Sequence, residues 1–113
     1  MKTEARIQQE IIQWFTNNYC LKFHNPRSII FSVPNGINTN PVQAMQLKAT
    51  GLLAGASDTI VVHRGSIYFC EIKNEIGVLS PEQKDFALRI DLNGFRYVVF
   101  KSLEEFQEFV LSL

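Results

Sequence analysis

Apolar residues recur along the chain with two different periods, and the changes of period divide it into elements. Over residues 4–17, Ile7, Ile11, Trp14 and Phe15 fall on one face at helical spacing. Thr3 stands where a cap belongs, and Glu4 lies in the first turn, where the helix dipole favours a carboxylate. Two short apolar stretches follow, Leu21-Lys22-Phe23 and residues 28–33, read as one strand or two, and Pro34-Asn35-Gly36 is a turn. Asn40 and Pro41 open a second helix, predicted from Val42 to about Leu53, with Val42, Met45, Gln46 and Ala49 on one face. Gly51 and Gly55 then suit a helix stop and a tight approach of backbone to a ligand or another strand.

Thr59 to His63 is β-branched and apolar, Arg64-Gly65-Ser66 is a turn, and Ile67 to Lys73 returns, so the pair reads as a β-hairpin. Ser80-Pro81-Glu82-Gln83 starts a helix: serine as cap, proline first, glutamine at the capping-box position. That helix carries Phe86, Ala87 and Ile90 and stops at Asn93-Gly94. Phe95 to Lys101 is a strand, and Ser102 with Glu105 opens a last helix whose Phe106, Phe109 and Val110 face inward. The element order is therefore αβ(β)αββαβα. A helix joining strands 67–73 and 95–101 makes that pair parallel, whereas the hairpin is antiparallel. The expected fold is α/β, a mixed central sheet with helices on both faces.

The hairpin also carries the candidate chemistry. With a two-residue Arg64-Gly65 loop, His63 faces Ser66 and Asp58 comes directly opposite Glu71, Cβ atoms ~4.5–5.5 Å apart. A three-residue loop would shift the pairing by one. Lys73 shares the face of Glu71, and Ile72 points the other way. Two adjacent carboxylates repel, and a hard divalent cation such as Mg²⁺ or Mn²⁺ relieves that repulsion. A lysine on the same face suits a site that also holds a phosphate. The plainer reading is a solvated strand end with a Glu–Lys pair. Gln83 is either a cap or a support for this site, and Lys84 points toward it or to water. His24 reads as a loop histidine, and His63, at the hairpin tip, as exposed and without a role.

Composition narrows the class without choosing a partner. At 113 residues, 46% hydrophobic and 19% charged, the chain has the size and balance of one ordinary globular domain, residues 1–113. No apolar run reaches the ~18 residues of a membrane span, and the first residues lack a signal-peptide pattern, which points to the cytosol. Cys20 and Cys70 lack metal-finger spacing and read as reduced, buried thiols. The net charge is zero; residues 20–101 carry nine basic against six acidic side chains, and the last helix only Glu104, Glu105 and Glu108. That asymmetry permits a phosphate-facing side and does not argue for one alone.

A helix, a hairpin bearing Asp58 and, after 12 residues, Glu71-Ile72-Lys73, then a helix and a parallel strand, resembles the PD-(D/E)XK nucleases. Thr3-Glu4, Gly55-Ala56-Ser57-Asp58, Glu71-Ile72-Lys73, Gly77 and Ser80-Pro81-Glu82-Gln83 together resemble the virus-type replication–repair nuclease (VRR-NUC) domain over nearly the whole chain. Ala56-Ser57 depart from the family, which often has proline just before the aspartate. The resemblance implies a small restriction-endonuclease-like fold and metal-dependent hydrolysis of DNA phosphodiesters in a bacterial or phage-infected cytosol. It implies Asp58, Glu71 and the Ile72 carbonyl as ligands of Mg²⁺ or Mn²⁺, and Glu4 as a further carboxylate, direct or through water, with Glu10 as the fallback. It gives Lys73 the attacking water and the phosphate, and Gln83 a supporting place. Lys48, Lys84 and Asn35 are candidate DNA contacts. Small members resemble Holliday-junction-resolving enzymes and are typically dimers, so the expected partner is branched DNA and the expected assembly a homodimer. The alternative is a catalytically silent module on the same fold that binds nucleic acid or a replication partner.

Overall fold

A computed structural model of the chain describes residues 1–34 and 40–113. The elements are α1 (Glu4–Tyr19), β1 (Ile29–Ser32), α2 (Pro41–Ala49), β2 (Thr59–His63), β3 (Ser66–Ile72), α3 (Pro81–Leu92), β4 (Arg96–Phe100) and α4 (Leu103–Leu111). The sheet runs β1-β2-β3-β4, antiparallel at the first two joints and parallel at the third. The expected mixed sheet is there, and β1 is a single strand. Leu21-Lys22-Phe23 lies in a run of turns, with the His24 Nδ1 accepting the Leu21 N–H at 2.9 Å, a loop histidine as expected.

Alternation along the strands sorts residues onto two faces. Val61, Tyr68, Cys70, Ile72 and Phe100 point to one side and are buried beneath Ile7, Ile11 and Phe15 of α1 and Phe106 and Val110 of α4. Aromatic edges interlock there: Phe106 meets Phe100, Phe15 and Trp14 at centroid distances of 5.1, 5.8 and 6.0 Å. Ile60, Phe69, Glu71, Tyr97 and Val99 point to the other side. α3 covers the β3–β4 half of it, where Phe86 packs edge-on against Phe69 and Tyr97.

Local chemistry accounts for the element ends. Thr3 accepts from the Arg6 N–H, and Ser80 and Gln83 form a complete capping box. At α4 the box is modified: Ser102 accepts from the Glu105 N–H, and the Glu105 carboxylate reaches back to the Lys101 N–H at 2.8 Å. The hairpin turn places Arg64 and Gly65 both at positive φ, 49° and 79°, which a two-residue loop of matching twist requires.

Three expectations are corrected. α2 stops at Ala49, with Thr50 as its cap, four residues short of the expected end, because Gly51 takes φ 111°. Its expected inner face is exposed, Val42 to 65% and Met45 to 72%; only Ala44 and Leu47 are half-buried. His63 is buried to 3% exposure, because Phe15 and Tyr19 of α1 lie over the hairpin end at 5.4 and 4.8 Å, and its Nδ1 pairs with the Ser28 Oγ at 2.6 Å. Both cysteines are free, Cys70 buried and Cys20 half-buried; burial pushes the Cys70 thiol up to about 12. No helix among the described residues is long and apolar enough to cross a membrane.

Candidate active site at the open end of the hairpin

The hairpin register is the one a two-residue loop dictates. His63 pairs with Ser66 and Thr59 with Cys70, and the next step of that register sets Asp58 against Glu71. Asp58 lies just before β2 begins, and its Oδ2 accepts the Ile72 N–H at 2.7 Å. A strand residue directs its N–H and C=O to the same edge, so the Ile72 carbonyl opens beside the Asp58 carboxylate.

Glu71 is the unusual residue of this end: a carboxyl group 1% exposed inside a sheet. Both of its oxygens have donors. The Gln83 Nε2 lies 3.1 Å from Oε2, the Tyr97 hydroxyl 3.4 Å from Oε1, and the Lys73 ammonium 3.9 Å from Oε2. Burial pushes the Glu71 carboxyl up to about 9, the hydrogen bond and charge of Asp58 add to this, and Lys73 and Tyr97 oppose it. The Tyr97 hydroxyl is pushed up as well, by burial first and then by Glu71. Lys73 is itself only 9% exposed.

The two readings of Gln83 hold together. Its Oε1 accepts the Ser80 N–H at 2.9 Å, which closes the capping box and turns the amide NH₂ toward Glu71. One side chain thus ends a helix and braces a buried carboxylate. Gly55 holds that helix start in place. With φ 82°, its backbone lies so close to the first turn of α3 that a Cβ would strike the Glu82 carbonyl and come within 2.8 Å of the Gln83 N. The close approach expected of Gly55 is therefore to a helix, not to a strand.

Glu4 comes to the same end from α1. A Cβ on Gly77 would lie 3.1 Å from the Glu4 Oε2, 3.2 Å from the Asn74 Oδ1 and 3.2 Å from the Lys73 Cδ, so one glycine touches the Glu4 and Lys73 side chains together. Glu10 is engaged elsewhere, with Lys2 at 2.9 Å and Arg6 at 3.3 Å, the Lys2 hydrogen bond holding it below the usual carboxylate range. Lys48 and Lys84 are exposed on α2 and α3, and Asn35 lies outside the described residues. Tyr97 is the site residue that sequence reading missed. Strand parity offers only its face of β4; its place, opposite Phe69 and two residues before Glu71, comes from the parallel register.

Among the described residues, no three acidic, cysteine or histidine side chains gather as a ready metal cage. The donor set nevertheless suits a hard divalent cation: two facing carboxylates, one of them buried, and a backbone carbonyl on the same edge.

Four strands in one mixed sheet, with a helix crossing between β3 and β4, make a compact α/β fold. A solved structure named "VRR_NUC domain protein" matches 99% of this chain and 88% of its own at a TM-score of 0.77 and 22% identity. A second, named "VRR_NUC domain", matches 97% of this chain and 96% of its own at a TM-score of 0.66 and 20% identity. The chain carries the fold of a VRR-NUC domain. No family model and no curated protein matches the sequence.

Proposed function

We propose that this protein is a Mg²⁺- or Mn²⁺-dependent deoxyribonuclease that hydrolyses phosphodiester bonds in branched or junction DNA as a homodimer. The observation that carries the reading is the buried Glu71 carboxylate, braced by Gln83 and set against Asp58 and Lys73 on this fold. Burying an acid beside another acid disfavours the folded state, so the arrangement calls for a compensating cation. Asp58, Glu71 and the Ile72 carbonyl would hold it, with Glu4 as a further carboxylate, direct or through water. When bound, the cation neutralises charge on the phosphate and eases deprotonation of water.

The other steps belong to the chain. Lys73, on the face of Glu71, orients the attacking water and offsets charge that develops on the phosphoryl oxygens. Gln83 holds one oxygen of the Glu71 carboxylate, and the exposed Lys48 and Lys84 meet the DNA backbone. The β1–β2 half of the α3-side face leaves Ile29 and Phe31 exposed, and α2 leaves Val42 and Met45 exposed; this apolar surface supports a two-fold pair.

The test is cleavage of a four-way junction and a linear duplex with Mg²⁺ or Mn²⁺. Asp58→Asn and Lys73→Ala are expected to lower the rate by more than about 100-fold. If both variants cut as fast as the parent, the site is wrong. If the parent binds junctions and cuts nothing, the protein is a binding module. Solution sizing with and without a junction tests the dimer.

A further inference from the structure

We infer that Tyr97 is a positioning residue that sets the Glu71 carboxylate for its cation, an assignment that rests on the metal-dependent reading above. Tyr97 stands on β4, next to Glu71's strand and on the same face of the sheet. Phe86 of α3 packs edge-on against its ring at 6.1 Å. Its hydroxyl lies 3.4 Å from the Glu71 Oε1, while the Gln83 Nε2 lies 3.1 Å from Oε2. The carboxylate is therefore gripped from two elements, one donor on each oxygen.

The grip has a chemical purpose. A carboxylate that ligates a cation loses rotational freedom, and a site that restricts it beforehand binds more tightly. Gln83 alone fixes one oxygen and leaves the plane of the group free to swing about it. The second donor, from the neighbouring strand β4, restricts that swing and would hold the group ready for the cation. Tyr97 thus acts through Glu71, without touching substrate.

Binding of Mn²⁺ to the DNA-free protein, followed by the loss of its free-ion electron paramagnetic resonance signal, tests this apart from catalysis. Tyr97→Phe removes only the hydroxyl, and its Mn²⁺ affinity is expected to fall about 10-fold or more while its denaturant midpoint stays with the parent. Tyr68→Phe removes a buried ring's hydroxyl on the opposite face and is expected to bind Mn²⁺ as the parent does. Parental affinity in Tyr97→Phe overturns the inference, as does equal weakening in both variants. A parent that binds no Mn²⁺ overturns the metal-dependent reading as well, so the two failures are distinguishable.

Discussion

The two faces of the sheet are made from alternate residues of the same strands, yet they bury different things. Toward α1 and α4 the buried side chains are Val61, Tyr68, Cys70, Ile72 and Phe100, closed over by five apolar residues of the two helices. Toward α3 the buried side chains of the central strand end are Glu71 and Lys73, and α3 itself contributes no fully buried residue. Hydrophobic burial, roughly 25 cal/mol per Å², is thus concentrated on one face. The other face holds a desolvated carboxylate, whose burial is unfavourable until something compensates it. Stability and the proposed chemistry occupy opposite sides of one strand, separated by its pleat.

If that division holds, the largest loss of stability comes from the α1–α4 side. Phe106 is 1% exposed and touches Trp14, Phe15 and Phe100. Phe106→Ala should destabilise by about 3–5 kcal/mol, the transfer term plus the cavity left behind. Equilibrium unfolding in denaturant measures it, and a loss below about 1 kcal/mol would show that this face is not where the stability lies.

A smaller effect of the opposite kind is expected on the α3 side. Gly77 has an ordinary backbone conformation, so alanine there meets only the Glu4, Asn74 and Lys73 side chains, at 3.1–3.2 Å. Each must give by a few tenths of an ångström, and they sit beside the proposed chemistry. Gly77→Ala should slow junction cleavage about 10-fold, since small misplacements of reacting groups are costly, and change stability by less than about 1 kcal/mol. Unfolding curves and single-turnover rates on the same sample decide it. A variant that is destabilised as much as it is slowed would erase the distinction between the faces.

How far these faces could be read in advance depended on whether a local rule governed each feature. The opposition of Asp58 and Glu71 was legible because a two-residue loop fixes register over a whole hairpin, and Arg64-Gly65 is such a loop. The starts of α3 and α4 were legible because Ser80 and Ser102 cap within three residues of themselves. The place of Tyr97 was not, because a parallel register across a helix is set by packing, and no turn specifies it. The burial of His63 escaped for a similar reason. A hairpin tip is normally wet, and this one is covered by the far end of α1, distant in sequence. The face of α2 was misjudged because helical spacing shows that a helix has an apolar side without showing that anything packs against it.

The smallest effect sharpens the comparison by placing one titratable group on the stability face. His63 is buried against Phe15 and Tyr19, paired through Nδ1 with Ser28, next to Arg64 in sequence and in the same small cavity as His24. Burial first, and then the charge of Arg64, hold its pKa below the ordinary 6.5. The folded protein therefore favours the neutral ring. The unfolded chain takes up a proton at about pH 6.5, before the folded one does, so acid favours unfolding. The stability His63 contributes is complete above that pH and is lost as pH falls through its folded value. Denaturant unfolding at about pH 7.5 and about pH 5.5 should show the parent losing more stability than His63→Gln, by a margin of about 1 kcal/mol or less. All other groups are common to both proteins, so what they contribute cancels in the difference. Parallel losses would mean that the ring carries no pH dependence, and that the α1–α4 face is as inert to protons as its apolar composition suggests.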